Sequence, residues 1–258
     1  MDLELEGRAG IVWGGSQGIG KAIARELLAE GMSLVVLGRK RERLDAAEAE
    51  LQAGDRLHTE VGDFRVHEDI QRAVEVVRER FGRLDVLINN DGAPPIGPVS
   101  EFSDQDWEDA IERNFLSVVR STRAALPVML AGGGGSIVNI TALSVLQPMS
   151  GLGLSVATWA SVIAFSKTLA IECGQKGIRI NTICPGRVNT GRLQLVAQQR
   201  TDNVGAAAES DPGAAVPLGR LGDPSEVAAL AAFLSSPRSG FITGAAIPVD
   251  GGSRRALF

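Results

Sequence analysis

Short apolar runs alternate along this chain with longer stretches of mixed polarity at helical spacing. Residues 9–13, Ala-Gly-Ile-Val-Trp, form an unbroken apolar run of strand length. A glycine-rich turn follows, and then apolar positions recur at helical spacing over 19–30, closed by Gly31 as a helix stop. The same logic predicts a second strand over 33–37 and a polar-faced helix over 41–51. Strands are predicted over 56–61, 85–89 and 135–141, with helices over 68–81 and 104–130 between them. Residues 154–175 read as a long helix rich in small residues, 178–184 as a sixth strand and 245–249 as the last. A helix over 224–234 has Asp223 as its N-cap and Pro224 at its first position.

Strands and helices alternating at this spacing form parallel β-α-β units with right-handed crossovers. The expected fold is α/β: one Rossmann-type, doubly wound parallel sheet of about seven strands with helices on both faces. No linker splits the chain, so residues 1–258 are expected to be one dinucleotide-binding domain, without solenoid repeats. The segment 191–216, rich in Ala, Gln, Asp and Gly, breaks the order. It reads as a mobile loop with one short helix, either a lid over a substrate or a surface excursion.

Composition narrows the function classes. At 258 residues the chain can bury about three-quarters of its unfolded surface and needs no disulfide or metal staple. Its 26 Lys and Arg against 31 Asp and Glu give a net charge of −5, which argues against nucleic acid as a partner. Cys173 and Cys184 make neither a metal spacing nor a disulfide framework. The acidic start MDLELEGR has no apolar signal region, and no apolar run reaches about 18 residues. A reducing cytoplasm, without a membrane span, is the expectation. No metal site is expected. The chain contains no tyrosine.

After the first strand comes Gly14-Gly15-Ser16-Gln17-Gly18-Ile19-Gly20. Such glycines let backbone approach a pyrophosphate and aim the free N–H groups of the next helix at it. This turn, together with FGRLDVLINNDG, GSIVNITA, GIRINTICPGRVNT, PLGRLGDPSEVAALAAFLSS and ITGAAIPVDGG, resembles the short-chain dehydrogenase/reductase family over almost the whole chain. The resemblance implies strand order 3-2-1-4-5-6-7, a small-molecule substrate, and a homotetramer or homodimer joined through long helices. It implies that Gly14, Ser16, Gln17, Gly18 and Ile19 line the pyrophosphate turn. By the same resemblance Asp63, beside Phe64, binds adenine, Asn90 lies near the adenosine ribose, and Val188 and Thr190 hold the nicotinamide carboxamide. Where an acid would bind the ribose of NAD, the chain has Arg39 and Lys40, which favours NADP(H) over NAD(H).

The family's catalytic Asn, Ser, Tyr and Lys align with Asn114, Ala142, Ser155 and Trp159. Three of the four are changed. A serine hydroxyl neither reaches where a phenol would sit nor ionises comparably near neutrality. Lys167 lies about two helical turns beyond 159, too far to substitute. Trp13 and Asp91 also depart from the family, at positions that touch in it. Two readings of this pair stay open: the Trp13 indole N–H reaches Asp91, or Asp91 acts as an acid or base at the rim of the pocket. Asn114, Ser155 and Asp91 are therefore the catalytic candidates. Thr141 and Ser144 read as strand-end hydroxyls, Cys184 as a buried inert thiol, and His58 and His67 as remote. The chain is expected to be an enzyme acting on a small carbonyl-containing substrate. It is either an atypical NADP(H)-dependent oxidoreductase or a non-redox cyclase, dehydratase or isomerase. The alternative is a catalytically silent homologue that serves as a structural or regulatory subunit.

Overall fold

Seven parallel strands, ordered β3-β2-β1-β4-β5-β6-β7, carry the molecule in a computed structural model that describes residues 2–92, 94–204 and 211–257. The strands are β1 Ala9–Trp13, β2 Ser33–Gly38, β3 Leu57–Val61, β4 Val86–Asn89, β5 Gly135–Ile140, β6 Ile178–Pro185 and β7 Ala246–Val249. β1 is central, with Ile11 in register with Val35 on one side and Leu87 on the other. Its side chains alternate between the two faces. Val12 packs with α1 (Gly18–Ala29), Leu44 of α2 (Arg41–Leu51) and α8 (Pro224–Ser235). Ile11 and Trp13 pack on the opposite face with α3 (His67–Phe81), α5 (Ser117–Ala131) and α6 (Gly153–Cys173). The doubly wound α/β fold and its strand order match the sequence expectation.

The α8 start is as expected from its residues. Asp223 Oδ1 accepts from the Ser225 amide at 2.8 Å, and Glu226 Oε2 accepts from the Asp223 amide at 2.8 Å. Two segments differ from expectation. The helix expected over 104–130 is α4 (Asp104–Ile111) and α5, joined by a π-helical turn at Glu112–Leu116. That extra residue in the turn is an arrangement no apolar periodicity signals, and such turns cluster at functional sites. The segment 191–216 begins with a 14-residue helix, α7 (Gly191–Val204), rather than a loop with one short helix. Beyond its first residue this stretch holds neither Gly nor Pro and is dominated by helix formers, which outweigh its low apolar content. The rest of the expected lid includes 205–210, which lie outside the described residues. By length and composition α6 passes for a membrane-crossing helix, contrary to the sequence count, yet nearly half of it is buried. Packed on β6, it is a core helix of the sheet's second face.

The strand order reverses between β1 and β4. In open α/β sheets ligands bind beyond the carboxyl ends of the strands at such a point. Here those ends lead into Gly14 and Asn90.

Candidate active site

The glycine turn is clasped to the end of β4. Gly14 has φ of 62°, and a Cβ there would lie 2.5 Å from the Asn90 carbonyl oxygen. Gly20 is equally constrained, because its Cβ would sit 2.3 Å from the Gly14 carbonyl oxygen. The Asn90 amide donates to the carbonyls of Trp13 at 3.2 Å and Gly14 at 3.3 Å. Asn90 thus holds the turn with its side chain, a job the sequence did not reveal. Gln17 precedes α1 without capping it, and its Oε1 instead accepts from Arg43 at 2.9 Å. Among the described residues the first-turn N–H groups of α1 have no side-chain acceptor, and they carry the helix's partial positive charge. Ser16 lies against Gly38, Ile19 packs on the core, and the Thr190 methyl comes within 3.6 Å of where a Gly18 Cβ would stand. Turn and α7 entrance thus face each other. Arg39 and Lys40 are exposed after β2.

Asp63 is engaged by its neighbour: Arg65 donates through Nε at 3.0 Å and Nη2 at 2.6 Å. That hydrogen bonding holds the Asp63 carboxyl below its ordinary range. Phe64 is buried with its ring centroid 4.9 Å from that of Trp13. The Thr190 hydroxyl donates to the Val188 carbonyl at 3.4 Å and lies 3.4 Å from the Leu193 amide at the start of α7.

The expected bond from Trp13 to Asp91 does not form. The Trp13 Nε1 donates to Ser121 Oγ of α5 at 3.1 Å. Strand alternation is the cause: Trp13 shares the α3/α5/α6 face with Ile11, whereas Asp91 lies beyond the end of β4. Asp91 is half-buried, and desolvation raises its carboxyl above the usual value of 3.8. The Gly92 amide and the charges of Arg39 and Arg113 oppose that rise only in part.

Asp91 lines a small cavity together with Phe64, Asn89, Arg113, Asn114 and Trp159. Its volume is about 10 Å³, the space of a single water at most. Two of the residues that line it have a buried amide oxygen, Asn89 Oδ1 and Asn114 Oδ1, with no hydrogen-bond partner among the described residues. The Asn114 amide nitrogen, fixed by the π-turn, donates to Thr158 Oγ1 at 2.9 Å. Trp159 is only 9% exposed and belongs to the core of this face. Ser155, 2% exposed one turn earlier on α6, is not among the residues lining the cavity. The structure therefore brings Asn114 and Asp91 together and leaves Ser155 aside.

Of the remaining candidates, Thr141, His58 and Lys167 have structural partners. Thr141 Oγ1 donates to the Ile183 carbonyl at 3.1 Å, and burial raises the Cys184 thiol beside it. Ser144 Oγ is buried without a partner among the described residues. His58 approaches Glu60 at 3.5 Å, and His67 begins α3. Lys167 Nζ donates to the Gly244 carbonyl at 3.2 Å, far from the cavity. Among the described residues no three His, Cys, Asp or Glu gather around a common point. A larger apolar cleft of about 460 Å³, between Pro98, Met149 and Val156, touches none of the candidate residues.

Two functional-looking residues escaped sequence reasoning. Arg113 lines the cavity, and Arg192 reaches from α7 to the Pro94 carbonyl at 3.3 Å. Their adjacency to Asn114 and Thr190 in the chain was the available signal.

Comparison with known proteins places this architecture. Residues 14–254 match the family model described as enoyl-(acyl carrier protein) reductase. Oxidoreductase UcpA of Escherichia coli K12 is 35% identical over 253 residues, covering 97% of this chain and 95% of that protein. A variant of actinorhodin polyketide ketoreductase solved with NADPH superposes with a TM-score of 0.91 at 35% identity, covering 96% of this chain and 98% of that one. L-Sorbose reductase from Gluconobacter frateurii, complexed with NADPH and L-sorbose, also reaches 0.91, at 32% identity over the full length of both chains. The chain belongs to the short-chain dehydrogenase/reductase family.

Proposed function

We propose that this short-chain dehydrogenase/reductase binds NADP(H) and acts on a small carbonyl-containing compound, with Asp91 rather than a phenol handling the proton. One observation carries the reading: a half-buried carboxyl, raised by desolvation, at a cavity also lined by Asn114, whose amide oxygen has no partner among the described residues. A carboxyl with a raised pKa is a better proton carrier near neutrality than an ordinary one.

The residues fit a dinucleotide at its phosphate end. The tight Gly14 and Gly20 contacts keep the turn bare, α1 presents uncapped amides, and the exposed Arg39 and Lys40 suit a ribose 2′-phosphate. NADPH in two similar structures agrees with that preference. At the nicotinamide end Val188 and Thr190 would hold the carboxamide, while Trp159 offers no cation to a ribose hydroxyl. When bound, the cofactor supplies or accepts the hydride. Asp91 as the acid gives its proton to the carbonyl oxygen, and as the carboxylate it takes one back in reverse. Asn114 Oδ1 accepts from a substrate hydroxyl or a water, and Ser155 supports the α6 wall. Without hydride transfer, the same acid–base pair suits a dehydratase, cyclase or isomerase. The exposed side of α6, where Ile171 is 78% exposed, supports assembly as a homodimer or homotetramer. Residues 191–216 would serve as the lid.

The buried indole of Trp159 favours a second reading, a catalytically silent subunit. NADPH titration followed by fluorescence separates the two. Binding with turnover on a ketone panel, abolished in Asp91→Asn at a melting temperature no lower than that of wild type, supports the enzyme. No NADPH binding leaves the silent subunit.

A further inference from the structure

We infer that Arg113 and Arg192 form a site for an anionic oxygen group, a carboxylate or a phosphate, carried by the substrate. The inference rests on reading this cleft as a substrate site. Arg113 comes from the π-turn, next to Asn114, and lines the cavity beside Asp91. Arg192 comes from the first turn of α7, two residues after Thr190, near enough for the Arg113 charge to act on it. Arg192 is half-buried, and its Nε is fully buried with no hydrogen-bond partner among the described residues. Its one hydrogen bond among the described residues, Nη2 to the Pro94 carbonyl, is 3.3 Å long, at the weak end of the range. None of the ion pairs among the described residues includes Arg192. Burial first, and the charge of Arg113 second, push its guanidinium below the usual range.

A buried guanidinium normally finds a carboxylate, since leaving its donors unmade is unfavourable. Here the charged group it senses is another cation. A guanidinium with a buried Nε that lacks a partner among the described residues, next to a second cation, is a donor set that takes a planar carboxylate or a phosphate through paired N–H groups. An anion between them would satisfy Nε, cancel the repulsion and draw α7 against the segment that carries Pro94. The Asn203 amide, which donates to the Ile96 carbonyl at 2.8 Å, already ties the far end of α7 to that segment. A substrate with an anionic group would thus be held with its carbonyl toward Asp91.

The test uses the full chain with 4-oxopentanoate, its methyl ester and inorganic phosphate, at matched ionic strength, with and without NADPH. Tryptophan fluorescence and thermal shift report binding. The acid should bind and the ester should not. Arg192→Gln and Arg113→Gln should each weaken the acid by about tenfold or more, with partial recovery in Arg192→Lys. Displacement of the acid by phosphate at lower concentration would assign the group as a phosphate, and the reverse order as a carboxylate. Equal binding of acid and ester, or a change within about twofold in Arg192→Gln, overturns the inference. Loss of NADPH affinity in Arg192→Gln with acid binding intact also overturns it, by assigning Arg192 to the cofactor. Wild-type protein that binds the acid but not NADPH sinks the cofactor reading and leaves this one standing. NADPH binding without acid binding does the opposite.

Discussion

Replacing Gly20 by alanine sets helix propensity against packing at the turn on which the site depends. Gly20 is the third residue of α1, where alanine by itself favours the helix by about 1 kcal/mol. The new Cβ would stand 2.3 Å from the Gly14 carbonyl oxygen and 2.6 Å from Asn90 Nδ2. Ordinary contact begins at 3.4 Å, so backbone must move by about 1.1 Å. Overpacking of this kind costs about 1–3 kcal/mol. The displacement also breaks both Asn90 hydrogen bonds, at about 1 kcal/mol each. Packing wins, and the net loss is about 2–4 kcal/mol, or a fall in Tm of about 4–16 °C for a chain of this size. Gly174→Ala is the matched control. Gly174 has helical φ of −59° and nothing within 4 Å of its Cβ position, so alanine there stabilises by about 0.4–1 kcal/mol. Thermal unfolding of wild type and both variants, followed by circular dichroism, reads the two signs directly. A Gly20→Ala protein that melts at or above wild type would refute the clasp between turn and β4.

Three further outcomes are expected. Trp159→Ala should lose about 3–5 kcal/mol of stability, as buried tryptophans do. It should nonetheless bind NADPH more tightly, and unchanged or weaker binding would show that the indole does not crowd the nicotinamide ribose. Arg39→Ala should weaken NADPH by about tenfold or more while leaving NADH within about twofold, measured by titration; equal effects on both would remove Arg39 from the 2′-phosphate. Asp91 has a folded-state pKa above 3.8, so its charged form costs stability that is progressively lost as pH rises from 3.8 through the folded value. Asp91→Asn should therefore melt above wild type near neutrality and lose that advantage below 3.8, and a difference independent of pH would contradict the desolvated carboxyl.

The fold was legible because its signals are local and repeated. Alternation of buried strands with helical spacing, the Asp223 cap and the glycine turn each act within a few residues, and all point to the same sheet. The site was legible only where a motif fixes a backbone position, as at Gly14, Asn114 and Thr190. What escaped depends on the direction of a side chain across elements. Trp13 was paired with the wrong acceptor because its facing is set by the pleat of β1, and Ser121, its actual partner, lies 108 positions away. Asn90 and Gly14 meet only through the β1–β4 pairing. The π-turn and the reach of Arg192 to the Pro94 carbonyl are likewise products of assembly.

The absent tyrosine and the raised Asp91 belong to one change. Asp91 and Trp159 line the same cavity, where burial is the largest influence on the carboxyl and nearby cations pull the other way. A lysine at 159 would add a further cation at that wall and favour the carboxylate. The indole adds apolar surface instead and withdraws water, which helps keep a proton on Asp91. Trp159→Lys should then move the pH window of the Asp91→Asn difference downward, toward 3.8, whatever it does to cofactor binding. A window that stays in place would mean that Trp159 and Asp91 act independently, and that the proton-carrying role proposed for Asp91 owes nothing to the residue at 159.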